Sequence, residues 1–125
     1  LRKLKTSVHI RNQQAQQYKD ALAHLPVKLL QVPERTYSSW HLFVIRIDPN
    51  QAINRSKLYQ LLIDAGIGCQ VHYIPVHTHP YYQELGFAWG DFPIAEQFYQ
   101  NCISIPIFPA LKKQQFVIKT LCDLL

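Results

Sequence analysis

From Leu1 to Leu25 the apolar residues recur at an alternating spacing of three and four: Leu1, Leu4, Val8, Ala15, Tyr18, Leu22 and Leu25, interrupted only by Arg11. That is the period of one face of a helix, and no Gly or Pro occurs before Pro26 to break it. The spacing predicts one long helix carrying a single apolar seam. A seam of this length has to lie against something, and the rest of a 125-residue chain has to supply it.

The remaining pattern supplies a small sheet. Trp40 to Ile47 is β-branched and aromatic and apolar on both faces at its centre, which predicts a strand covered on both sides and ended by Asp48-Pro49-Asn50. Leu58, Leu61, Leu62 and Ala65 return to helical spacing, with Gly66 placed as the left-handed residue that closes the helix. Gly66-Ile67-Gly68 turns into a second expected strand, Cys69 to Ile74, stopped by Pro75. Pro80 to Leu85 reads as a short helical turn halted by Gly86. Pro93 opens a helix to about Cys102, with Ile94, Phe98 and Cys102 expected inward. Ile103, Ile105 and Ile107 alternate as a third strand, marked as an edge by Pro106 and Pro109. A last helix from Ala110 would turn Phe116, Val117, Thr120, Leu121 and Leu124 inward. This order predicts an α/β domain, residues 1–125, with helices packed on a small sheet. One local rule is broken: Lys112 and Lys113 stand at the start of the last helix, where no Ser, Thr, Asp or Asn caps it and where the dipole is positive.

Charge and cysteines narrow the function classes. Residues 1–35 hold seven Lys/Arg and two acids, the whole net charge of +5, whereas six bases balance six acids from residue 36 onward. The basic residues are spread out and lack interleaved aromatics, so a solvated helix face is expected rather than a nucleic-acid surface. No apolar run reaches the ~20 residues of a membrane helix, and Leu1-Arg2-Lys3-Leu4-Lys5 does not open a secretory signal. The sequence begins on Leu rather than Met, as expected of a piece of a longer protein. Cys69, Cys102 and Cys122 are odd in number and sit among apolar residues, which suits reduced, buried thiols in the cytoplasm.

The stretch Val71 to Tyr82 concentrates the chemistry. It holds three of the six histidines and three of the seven tyrosines, and Pro75 and Pro80 interrupt it. Imidazoles and phenols offer a polar edge on a flat apolar body, suited to orienting a small molecule. His72 and Tyr73 are expected on opposite faces of the strand end; on the residues alone, His72 reads first as a core-edge histidine. Cys69, His72, His77 and His79 match no standard zinc spacing, and the two last would diverge if extended. Tyr81, Tyr82, Phe87 and Trp89 would stack a base or, more plainly, bury area.

In this order of elements the chain resembles the small C-terminal domain of the DegT-type sugar-nucleotide aminotransferases, which are fold-type I pyridoxal-phosphate enzymes. Four stretches carry the resemblance: Leu1-Arg2-Lys3-Leu4 with Arg11-Asn12 and Tyr18; Trp40-His41-Leu42-Phe43; Gly66-Ile67 through His72-Tyr73-Ile74-Pro75-Val76-His77 and Pro80-Tyr81-Tyr82; and Gly90-Asp91-Phe92-Pro93-Ile94-Ala95-Glu96 through Ser104-Ile105-Pro106-Ile107-Phe108-Pro109. The central stretch looks closest to enzymes that aminate UDP-linked 4-keto-6-deoxy sugars in the pseudaminic acid pathway. The resemblance implies an enzyme that transfers an amino group, from glutamate, to a keto-sugar nucleotide in glycan biosynthesis, working as a cytoplasmic homodimer without nucleic acid or membrane. It implies that Gln70, His72, Tyr73 and His77 contact the substrate. It also implies that pyridoxal phosphate, its Schiff-base lysine, the acid facing its ring nitrogen and its phosphate-binding serines belong to a large N-terminal domain. Catalytic, cofactor-binding and metal-binding residues are accordingly expected nowhere in these 125 residues. The competing class is a non-catalytic module that binds a sugar nucleotide or a protein, distinguished by whether the parent gene encodes a lysine-bearing cofactor domain upstream.

Overall fold

The seam folds as expected over most of its length. The computed structural model describes residues 2–125, and helix α1 spans Leu4–Leu22; Leu1, the first seam position, lies outside the described residues. Ala15, Tyr18 and Leu22 are buried, whereas Leu4 is 56% exposed and Val8 half-buried, so only the C-terminal half of the seam is covered. The covered half meets strand β2 (Phe43–Ile47): the Tyr18 and Phe43 rings pack 4.9 Å apart, and Trp40 lies 5.4 Å from Phe43.

The sheet is antiparallel with order β1-β2-β3, where β1 is Val27–Leu29 and β3 is Cys102–Ile105. Val27 faces Ile47, and Phe43 faces Ile105. Strand β1 was not expected from the sequence: three residues just after Pro26 are too few to show a period. β2 is not covered on both sides; Phe43, Ile45 and Ile47 are buried on one face, but Val44 and Arg46 on the other are half-buried. The expected strand Cys69 to Ile74 reduces to one bridge, in which Gln70 exchanges backbone hydrogen bonds with Ser104 at 3.1 and 2.8 Å. Beyond Gln70 no neighbour continues the ladder, and Pro75 has no N–H to give one.

Helix α2 (Arg55–Asp64) follows its local chemistry closely. The Asn54 side chain accepts from the Lys57 amide at 2.9 Å, and Gly66 takes φ +77° beyond the last turn. There the Ile67 amide donates to Leu62 and the Gly66 amide to Ile63, closing the Schellman pattern. A 3₁₀ turn at Val76–Thr78 leads into α3 (Pro80–Glu84), then α4 (Pro93–Asn101) and α5 (Gln114–Leu124). Two expected inner faces are corrected. In α4, Ile94 is 86% exposed and Phe98 is also exposed, while Glu96 is the buried residue. In α5, Phe116 is exposed and Ile118 joins Val117 and Leu121 inside. α5 begins at Gln114 rather than Ala110, so Lys112 and Lys113 precede its first turn, and no side chain caps it.

Three long-range hydrogen bonds tie α1 to the connection between β3 and α5. Tyr18 Oη donates to the Pro106 carbonyl at 2.8 Å, Gln14 Nε2 to the Phe108 carbonyl at 2.9 Å, and Gln114 Nε2 to the Gln14 carbonyl at 2.7 Å. Cys69 and Cys102 are buried as expected, but Cys122 is exposed on the outer face of α5.

Candidate functional site

The stretch from Gln70 to His77 leaves the sheet at the Ser104 bridge, and each expected substrate contact takes a distinct position. Gln70 is exposed. His72 is half-buried, and its Nδ1 lies 2.8 Å from Ser104 Oγ, so the side chain is anchored to β3 next to the bridge. Tyr73 is 74% exposed. The His72 and Tyr73 rings do not part to opposite faces: they meet edge-on at 4.5 Å, because the alternation of a strand does not hold outside a ladder. The peptide between them is cis.

His77 is buried and does not project into the open. Its Nε2 lies 2.8 Å from Glu96 Oε1, and its ring packs 4.7 Å from Phe92 and 6.3 Å from Trp89. The same carboxylate accepts from the Gly90 amide at 2.8 Å and the Phe92 amide at 3.2 Å, with Gly90 at φ +102°. Glu96 thus joins the 3₁₀ turn, the 87–92 loop and the first turn of α4. Burial pushes its carboxyl up, but the bonds from Gly90, His77 and Phe92 outweigh that and hold it below the ordinary carboxylate range. The sequence offered Glu96 only as part of a resemblance; a carboxylate on a helix with apolar neighbours gives no local sign that three donors will enclose it.

His79 is exposed, and among the described residues no three His, Cys, Asp or Glu side chains converge on a metal position. Of the four aromatics, Tyr82 is half-buried while Tyr81, Phe87 and Trp89 stay exposed, with ring contacts running from Tyr81–Tyr82, edge-on at 5.3 Å, to Phe87–Phe92, tilted at 6.1 Å. Trp40 is buried, its Nε1 donating to Asn12 Oδ1 at 3.1 Å, while the neighbouring His41 is exposed.

The comparisons with known proteins place this geometry. The model of the DegT/DnrJ/EryC1/StrS aminotransferase family matches residues 1–122. The chain belongs to that family. Among curated relatives, the spore coat polysaccharide biosynthesis protein SpsC of Bacillus subtilis is 42% identical over 76 residues, covering 58% of this chain and 20% of SpsC. Among solved structures, S. venezuelae DesV in complex with a ketimine intermediate superposes with a TM-score of 0.89 at 31% identity, covering 99% of this chain and 33% of DesV. Helicobacter pylori PseC, an aminotransferase involved in the biosynthesis of pseudoaminic acid, superposes with a TM-score of 0.86 at 26% identity, over 98% of this chain and 34% of PseC. The fold is that of the fold-type I family, and the chain spans about a third or less of these relatives' length.

The family's cofactor, pyridoxal phosphate, makes two demands on a chain that holds it. Covalent binding of pyridoxal phosphate needs an enclosed lysine, with an acid placed for the ring nitrogen. Among the described residues every lysine is exposed or, for Lys19, half-buried with its ammonium 5.0 Å over the Trp40 ring. The described ion pair is His77–Glu96, and no lysine faces a carboxylate in it. These residues do not fit the cofactor by themselves.

Proposed function

We propose that this chain is the small domain, residues 1–125, of a pyridoxal-phosphate-dependent aminotransferase acting on a keto-sugar nucleotide, with glutamate as donor, in glycan biosynthesis. The observation that carries this reading is the superposition, over 99% of the chain, on DesV bearing a ketimine intermediate. PseC and SpsC, both matched by the same chain, support a sugar substrate and a glycan pathway, and PseC favours the pseudaminic acid branch. On this reading the cofactor sits on the rest of a cytoplasmic, homodimeric enzyme and performs the amino transfer, while this chain shapes the substrate side of the cleft.

The roles of its residues follow from their placement. Gln70 and Tyr73 are exposed at the end of the bridge and offer an amide and a phenol to the sugar. His72, held at Nδ1 by Ser104, has its ring orientation fixed and contributes its remaining nitrogen. His77, clamped by Glu96, acts by holding the 3₁₀ turn that follows them.

The test uses the full-length enzyme. Tyr73→Phe and His72→Ala each remove a positioned polar contact to a charged ligand, worth about 1.5–3 kcal/mol, so kcat/KM for the sugar nucleotide should fall roughly 10- to 150-fold. The half-reaction with glutamate should stay unchanged. Values within twofold of wild type for both variants would refute the assignment. The 125-residue chain alone should show no borohydride-removable absorbance band with pyridoxal phosphate.

A further inference from the structure

Between the Ser104 bridge and the 3₁₀ turn the chain runs without a ladder. Among the described residues no backbone hydrogen bond joins residues 71–74 to the rest of the protein, and Tyr73, Ile74 and Val76 are exposed. The span is held at its two ends. At the near end Ser104 pairs with Gln70 through the backbone, and its hydroxyl lies 2.8 Å from His72 Nδ1. At the far end Glu96 Oε1 lies 2.8 Å from Nε2 of His77, the residue after Val76. His77 and Thr78 are buried, and Thr78 donates to the Pro75 carbonyl from its amide at 3.0 Å and its hydroxyl at 2.7 Å. Pro75 therefore moves with His77.

Capping α4 does not account for what Glu96 does. A carboxylate in the first turn of a helix often reaches back to the amide of the N-cap residue, and the bond from the Phe92 amide serves that purpose. That bond is the longest of the set, at 3.2 Å. The two at 2.8 Å come from Gly90 and His77, both outside the helix. Asp91 Oδ2 in turn accepts from the Ala88 amide at 2.8 Å, closing the 87–92 loop on itself. A buried carboxylate is costly unless donors satisfy it, and here they come from separate segments. Keeping Glu96 ionised and satisfied thus fixes the 3₁₀ turn against the loop and against α4.

We propose that Glu96 is a positioning residue for the sugar-nucleotide half of the reaction: acting through His77, it fixes the far end of residues 71–76 so that Tyr73 meets the ligand already ordered. This rests on the functional reading above and adds to it a residue that need not touch the substrate. Its effect is on a population. With the far end released, only a fraction of molecules holds the span in its competent form, and apparent affinity falls by that fraction. The bound complex, once formed, is the same, so KM rises while kcat is kept.

The test uses the full-length enzyme, with glutamate and a UDP-linked 4-keto-6-deoxy sugar assayed as separate half-reactions. Glu96→Ala removes the anchor, and His77→Phe cuts the same link from the other side while keeping a ring against Phe92. Each should raise KM for the sugar nucleotide about tenfold with kcat retained. The glutamate half-reaction should keep its wild-type rate and amplitude, and its amplitude reports the fraction of folded enzyme. Where Glu96→Ala yields no folded enzyme, His77→Phe carries every arm. In hydrogen exchange read by mass spectrometry, either variant should speed exchange at residues 76–79 and 88–92 together. A double variant with Tyr73→Phe separates positioning from a general weakening. None of the hydrogen bonds to Glu96 comes from Tyr73, and independent sites multiply their effects to within about twofold. A ligand that no longer uses Tyr73 gains less from an ordered span, so the combined loss in kcat/KM should fall at least about threefold short of the product. Losses that multiply, a sugar KM within twofold of wild type, or equal losses in both half-reactions would overturn the proposal. If Tyr73→Phe impairs the sugar half-reaction while Glu96→Ala and His77→Phe do not, the positioning role fails and the aminotransferase reading stands. If exchange speeds up at both segments in an enzyme that aminates no sugar nucleotide, that reading fails, the positioning role falls with it, and the tether alone stands.

Discussion

Tyr18→Phe tests how the β3–α5 connection is held, and it deletes one oxygen. The Tyr18 side chain is fully buried; its ring packs on Phe43 and its hydroxyl donates to the Pro106 carbonyl at 2.8 Å. Phenylalanine keeps the ring contact, so the loss is confined to one buried hydrogen bond and one stranded acceptor. Such a loss costs about 1–3 kcal/mol. Taking about 2 kcal/mol and a urea m-value of about 2 kcal/mol/M for a chain of this size, the unfolding midpoint should fall by about 1 M. The variant should also change the response to alkali. Burial raises the Tyr18 phenol well above its ordinary value near 10. A group whose folded pKa is raised contributes stability that is complete below the unfolded pKa and is lost as pH rises beyond it, because the unfolded chain then releases a proton that the folded chain keeps. Wild type should therefore lose stability more steeply than Tyr18→Phe above about pH 10. Urea titrations of both proteins at pH 7 and pH 10.5, read by tryptophan fluorescence, measure both effects. A midpoint shift under about 0.2 M at pH 7, or equal losses in alkali, would show that this buried phenol does not hold the connection.

Two further predictions concern buried groups. The Glu96 carboxyl is held below its ordinary range, so its contribution is present above the unfolded value of about 4.3 and disappears as pH falls through the folded one. Acid titration should show wild type losing structure around Trp89 in that window, while Glu96→Gln starts less stable and shows a flatter profile there; parallel profiles would count against the clamp. Burial raises the Cys69 thiol and pushes Cys102 up to about 11 against the nearby Arg46, whereas Cys122 is exposed. A thiol reagent should therefore modify one cysteine per folded chain quickly, and Cys122→Ser should abolish that phase.

What the sequence made legible was local. α2 could be bounded by Asn54 and Gly66 because capping and the left-handed residue act within a few positions, and the structure uses both. The inner face of α4 failed because Ile94 and Phe98 look like a seam, while the residue that goes inside is Glu96, whose partners lie at Gly90, Phe92 and His77. Periodicity weighs hydrophobicity and has no term for a carboxylate that three donors will satisfy. The second strand failed for a related reason: Gln70 has the Ser104 ladder, but its successors have no neighbour, and neighbours are not written locally. For the site, the stretch from Gln70 to His77 stood out by its imidazoles and phenols, and the family confirmed which fold holds it. His41 and Ser104 were invisible as companions of His72, since the chain brings them to one cavity from positions as far apart as 41 and 104.

The bonds from α1 to the β3–α5 connection join residues 88, 94 and 100 positions apart, so they form only once nearly the whole chain is in place. In hydrogen exchange the amides of α1 and of residues 106–114 should then open as one cooperative unit rather than as a helix and a loop. Free energy put into α1 passes into the rigidity of that unit. Its first turn carries the exposed Leu4, whereas the bonds to the β3–α5 connection start only at Gln14 and Tyr18. Fraying of α1 as far as Gln14 should therefore cost protection at residues 106–114 as well as in the helix itself.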